Sequence, residues 1–142
     1  MSGDDIYHEE LVRLAREAAG AGRLPPPAST AERDNPLCGD RVAFDVRLEA
    51  GRIAALSHRV RGCLVCQASA SFLARAAAGA GLAELRAGRA QVAALLSAGA
   101  PAPEGRWRGA ALFAPVGAVR SRHGCVLLPF DTLAEAVAGW RD

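Results

Sequence analysis

Lysine is absent from this 142-residue sequence; all 17 basic residues are Arg. We read that bias as genome composition, not as a functional demand for guanidinium groups. Aromatics are scarce at 5%, with one Tyr, two Trp and four Phe. Ala supplies much of the apolar content instead, which favours closely packed helices over a sandwich or barrel built on large side chains. An excess of charge of either sign is nearly lacking too. A net charge of +2 is too small for an obligate nucleic-acid binder. No apolar run is long enough to span a bilayer, so no membrane partner is expected. The start, Met-Ser-Gly-Asp-Asp, is acidic and suits neither a secretory signal nor an Arg-rich transit peptide. A cytoplasmic location is therefore expected, and there four cysteines stand as thiols for metal or sulfur chemistry. The length predicts one domain, 1–142, with a core that needs no disulfide staples.

The hydrophobic pattern predicts a first helix over 4–19, with Asp4 and Asp5 suited to its N-terminus. Gly20, Gly22 and Pro25-Pro26-Pro27 end it, leaving 20–39 as an irregular loop. Val42, Phe44, Val46 and Leu48 alternate with polar or small residues, the period of a half-buried strand over 41–48. Glu49-Ala50-Gly51 reads as a hairpin turn into a second, antiparallel strand over 52–60 with Leu56, His58 and Val60 on one face. From residue 64 the pattern turns helical. A long helix closes at Gly79 and Gly81, and short helices are expected at 82–87 and 89–98. A Pro/Gly loop covers 99–105, and another short helix holds Trp107, Leu112 and Phe113 before a turn at Pro115-Val116-Gly117. The last helix, 121–140, is expected to be interrupted or shifted by Pro129. The sum is α+β: a small antiparallel sheet packed against a layer of helices.

Three segments carry candidate chemistry. Cys38-Gly39-Asp40 closes the loop, where a thiolate and a carboxylate flanking a Gly can offer two metal ligands from one turn. Gly62-Cys63-Leu64-Val65-Cys66 opens the long helix, where the helix dipole lowers thiol pKa. That CxxC is compatible with a redox pair, half a zinc site, or small cysteines filling a helix–sheet contact. A preceding hairpin, in place of a βαβ unit, argues against the thioredoxin-like version. Arg122-His123-Gly124-Cys125 opens the last helix, and both His123 and Cys125 suit zinc or iron. Arg41, Arg59, Arg61, Arg120 and Arg122 flank the cysteines in sequence, where positive charge would favour thiolate and persulfide forms.

Taken in order, Asn35-Pro36-Leu37-Cys38-Gly39-Asp40, Gly62-Cys63 leading into Gln67-Ala68-Ser69-Ala70-Ser71, and Arg122-His123-Gly124-Cys125-Val126-Leu127-Leu128-Pro129-Phe130 resemble the IscU/NifU N-terminal family of iron–sulfur cluster assembly scaffolds. The likeness runs from Ile6 to Trp140. It is closer to the SufU branch, because the Leu-Pro-Pro-Val-Lys segment of IscU proteins is missing and the chain is longer around 99–117. Gly124 stands where IscU proteins carry a His, and Cys66 stands where a Ser or other small residue is usual.

The resemblance implies a SufE/IscU-like fold with Cys38, Cys63 and Cys125 as thiolate ligands and Asp40 as a labile oxygen ligand; Cys66 and His123 are the reserve candidates. It implies a scaffold that assembles a transient [2Fe–2S] cluster and passes it to apo iron–sulfur acceptor proteins. Four thiolates hold such a cluster most stably, so an Asp in the set eases its release. The alternative is a zinc-dependent sulfurtransferase accepting persulfide sulfur from a cysteine desulfurase, since the same residues match a tetrahedral Zn2+ site. Cys38 would then be the sulfur acceptor, with Cys125 second. A third reading is a zinc-stabilised interaction domain without transfer activity.

Overall fold

A computed structural model describes residues 8–37 and 39–141. The first helix, α1, spans Glu9–Glu17; residues 4–7 of the expected helix, with Asp4 and Asp5, lie outside the described residues. His8 caps it: its Nδ1 accepts from the Leu11 amide at 3.2 Å, and its Nε2 meets the Leu112 carbonyl at 2.8 Å. Ala18 ends the helix in the left-handed region at φ 46°.

Three strands follow, β1 (Ser29–Asn35), β2 (Asp40–Glu49) and β3 (Arg52–Arg61), as one antiparallel sheet in the order β1-β2-β3. The expected strands over 41–48 and 52–60 are therefore present. The register pairs Val42 with Val60, Phe44 with His58 and Val46 with Leu56. Because side chains alternate between faces, these six residues share one side of the sheet. Ala50 and Gly51 turn the chain at φ 51° and 75° between the paired Glu49 and Arg52, as a two-residue hairpin of the primed type requires.

β1 corrects the expectation of an irregular loop over 20–39. Only Ala31 is buried in this edge strand, so its sequence carries no alternation; pairing with β2 over Ser29–Val46 to Asn35–Asp40 forms it.

The helices cover the inner face. α2 (Leu64–Ala76), α3 (Leu82–Ala98) and α4 (His123–Ala138) follow in order. α2 packs on β3 and α4, α4 packs on β1 and β2, and α1 and α3 flank this layer. α3 is one helix, not the two expected at 82–87 and 89–98. Gly88 breaks neither the helix nor its packing, because a Cβ there would stand 2.6 Å from the Trp107 ring; the glycine is a notch for the indole. A 3₁₀ helix runs through Gly105–Ala118, passing Pro115 where a turn was expected. α4 is likewise continuous across the buried Pro129, and Trp140 lies beyond its end. Phe72 joins Trp107, Phe113 and Phe130 in the core with ring centroids 6.0–6.5 Å apart, the tilted and edge-on range that aromatic pairs favour.

No helix among the described residues is long and apolar enough to cross a membrane.

Candidate metal centre

The end of the sheet where β1 turns into β2 carries the candidate site. Asp40 opens β2 directly after Gly39, whose φ of +74° lies in the region that favours glycine. Asp40 is 2% exposed. Its Oδ1 accepts from the Cys63 amide at 3.0 Å, and its Oδ2 lies 3.7 Å from Cys63 Sγ. Gly62 makes room for this: a Cβ at that position would come within 2.4 Å of Asp40 Oδ1.

Cys63 links β3 to α2 as the helix N-cap, in an extended conformation. Cys125 sits in the first turn of α4 and is fully buried. One donor atom from each of Asp40, Cys63 and Cys125 lies within 4.8 Å of the others. Ligands around one tetrahedral metal with thiolate bonds of about 2.3 Å stand about 3.8 Å apart, so a small inward movement converts this trio into three ligands. Two sulfurs and a carboxylate oxygen suit zinc or iron. The fit therefore rests on donor chemistry and on mutual distance together.

The electrostatics favour the thiolate of Cys63. The Cys63 thiol is lowered from 9.0 to about 6. A hydrogen bond with Cys125 is the largest cause, aided by the Cys66 amide at the head of α2 and by Arg122; burial and the Asp40 charge oppose it. Arg122 Nη1 lies 4.0 Å from Cys125 Sγ.

The remaining sequence candidates fall elsewhere. Cys38 lies outside the described residues. Cys66 is 0% exposed and belongs to the hydrophobic core on α2. His123 is half-buried, with Nε2 3.1 Å from the Gly117 carbonyl. Neither joins the close group of donors. Gly124 faces Asn35, whose Nδ2 would be 3.0 Å from an added Cβ, so a larger residue there would press on the β1 end. The role of Gly62 was missed from sequence; its signal was a glycine preceding a candidate ligand, without the carboxylate it accommodates.

A three-stranded antiparallel sheet under a helical layer, with a carboxylate and two thiols gathered at one sheet end, defines the class of cluster-scaffold folds. The profile of the family described as NifU-like N terminal domain matches residues 6–110; Cys125 lies beyond that span. The chain belongs to this NifU-like N-terminal family, that of the IscU-type scaffolds for iron–sulfur cluster assembly. It is 33% identical over 144 aligned positions to the bifunctional protein NifU/MnmA of Rubrobacter xylanophilus, covering 95% of this chain but 29% of that protein. It is 26% identical over 132 positions to the iron–sulfur cluster assembly scaffold protein IscU of Thermotoga maritima, covering 93% and 92% of the two chains. The crystal structure of a NifU-like N-terminal protein from Brucella abortus superposes with a TM-score of 0.90 at 34% identity, over 96% and 94% of the chains. A SUF-system scaffold from Fervidobacterium islandicum shares the fold, with a TM-score of 0.86 at 22% identity over 96% and 99% of the chains.

Proposed function

We propose that this protein is a scaffold on which a [2Fe–2S] cluster is built and then released to apo acceptor proteins. The observation that carries the reading is the trio of Asp40, Cys63 and Cys125 donor atoms within 4.8 Å of one another. Cys38 is assigned as the fourth ligand on sequence resemblance alone. The cluster is cargo in this scheme. Sulfur arrives from a cysteine desulfurase: an acceptor thiolate attacks the outer sulfur of the enzyme persulfide, the enzyme's S–S bond breaks, and the enzyme thiolate leaves; an external two-electron reductant then converts the bound sulfane sulfur to the sulfide of the cluster and frees the acceptor thiolate. We assign that acceptor role to Cys38. Asp40 makes the finished cluster exchangeable, because a carboxylate is a harder and weaker partner for cluster iron than a fourth thiolate.

Reconstitution with iron, sulfide and reductant tests the reading. A visible charge-transfer chromophore is expected, and it should persist longer in Asp40→Ala than in the unaltered chain. Stoichiometric zinc that survives mild chelation and blocks reconstitution would overturn it.

A second reading, zinc-dependent sulfur acceptance, is favoured by the lowered pKa of Cys63. Asp40, Cys63 and Cys125 would hold Zn2+, which would favour deprotonated thiols. Under it the chain raises desulfurase turnover, and Cys38→Ser abolishes that stimulation; unchanged stimulation in the variant would remove Cys38 from the role.

A further inference from the structure

We infer that Cys63 and Cys125 form a reversible disulfide in the metal-free protein, a redox switch that closes the site to metal. The switch rests on the functional reading above and adds regulation to it, since a scaffold stands empty each time it has passed its cluster on.

Both residues are thiols in this structure. A hydrogen bond joins them, and their sulfurs lie within 4.8 Å of each other. A disulfide bond is about 2.05 Å long, so the pair has less than about 3 Å to close. The same two sulfurs are donors of the candidate metal centre. Metal and disulfide therefore exclude one another, because a sulfur bonded to its neighbour is no longer a thiolate ligand.

The two sulfurs differ in access, and that difference orders the chemistry. Cys63 is half-buried at the head of α2, whereas Cys125 is 0% exposed in the first turn of α4. A peroxide meets Cys63 first. The Cys63 thiolate attacks one peroxide oxygen, the O–O bond breaks, and Cys63 becomes a sulfenic acid as water leaves. The Cys125 thiolate then attacks the Cys63 sulfur, the S–O bond breaks, and hydroxide leaves as a second water after protonation. Two electrons have passed from the sulfur pair to the peroxide. Arg122 Nη1, 4.0 Å from Cys125 Sγ, sets a cation beside the attacking sulfur. A dithiol reverses the change by exchange, becoming a disulfide itself as the two thiols return. Cys66, three residues along the chain from Cys63, lies outside the close group of donors. Cys125 is the sulfur at hand.

The test treats the full, EDTA-stripped chain with a small excess of hydrogen peroxide. Remaining thiols are alkylated, and disulfides are located by non-reducing peptide mapping with fragmentation. The expected product is a Cys63–Cys125 crosslink, formed equally in Cys66→Ala. Zinc affinity should fall at least about tenfold and return with a dithiol, and zinc added before the peroxide should prevent the crosslink. A crosslink from Cys63 to Cys66 or Cys38 instead, or a sulfinic acid at Cys63 with no crosslink, overturns the inference. So does zinc affinity that stays within twofold in the crosslinked protein. These outcomes leave the functional reading in place, because the untreated chain still binds metal. An untreated chain that takes neither zinc nor a reconstituted cluster overturns the functional reading, and the switch with it.

Discussion

A methyl group added to Gly62 would stand 2.4 Å from Asp40 Oδ1 and 2.7 Å from its Cγ, a separation that requires the carboxylate to leave. Gly62→Ala should therefore weaken zinc binding roughly 10–100-fold, the usual effect of disturbing a ligand's support, with the far-UV circular dichroism unchanged. Zinc titration against a chromophoric chelator reads this, and an unaltered affinity would mean that Asp40 is not a ligand. The thiols make a second prediction at this scale. A thiolate alkylates and a thiol does not, so Cys63 in the metal-free protein should react with iodoacetamide above pH about 6 and lose reactivity below it. Cys125→Ala removes the largest cause of that lowered value, so the midpoint should move up. Site-resolved mass spectrometry separates Cys63 from the core residue Cys66, which should label only on unfolding. A midpoint unmoved by Cys125→Ala would show that the two sulfurs do not interact.

At the scale of elements, the outer face of the sheet holds a buried carboxylate with five donors. Asp45 accepts from Thr30 Oγ1 at 2.7 Å, Ser57 Oγ at 3.1 Å, the Leu24 amide at 3.0 Å, and Arg59 Nη1 and Nη2 at 2.9 and 3.0 Å. The Arg59 hydrogen bond, with those from Thr30 and Leu24, holds Asp45 far below its ordinary value of 3.8 against the effect of burial. A depressed native pKa gives stability that is fully present above the unfolded value and lost as pH falls through the native one. Denaturant midpoints should therefore fall as pH drops below about 4, and Asp45→Asn should flatten that part of the profile. Asp45→Ala strands four donor groups and should cost about 3 kcal/mol; a loss under about 1 kcal/mol would contradict the role given to the cluster. These elements also explain what the sequence could reveal. β2 and β3 were legible because their inner residues alternate. β1 was not, because a strand with only Ala31 buried has no hydrophobic period. Gly88 and Pro129 read locally as helix breaks, whereas Trp107 fills the space at one and burial in the helical layer carries the chain through the other. For the site, helix-start chemistry marked Cys63 as a reactive thiol. That Asp40 and Cys125 lie beside it depends on tertiary packing, which only the family resemblance supplied.

Across the whole molecule, the three donors come from three different elements: the start of β2, the β3–α2 junction and the first turn of α4. A metal bound by all three ties the sheet to both central helices. Binding to the native state alone stabilises it by about 2.7 kcal/mol when free metal is 100 times its dissociation constant. At roughly 3 °C per kcal/mol for a domain of this size, Tm should rise by about 8 °C with zinc and fall back with EDTA. Removing one donor, as in Cys63→Ser, should abolish most of that shift. The spatial signature is sharper than the shift itself. Zinc should slow amide hydrogen exchange together at 40–42, 62–67 and 124–128, segments up to about 85 residues apart in sequence that meet at the site. Protection confined to the head of α2 would mean that Cys63 binds metal without Asp40 and Cys125, and the three-element site would have to be abandoned.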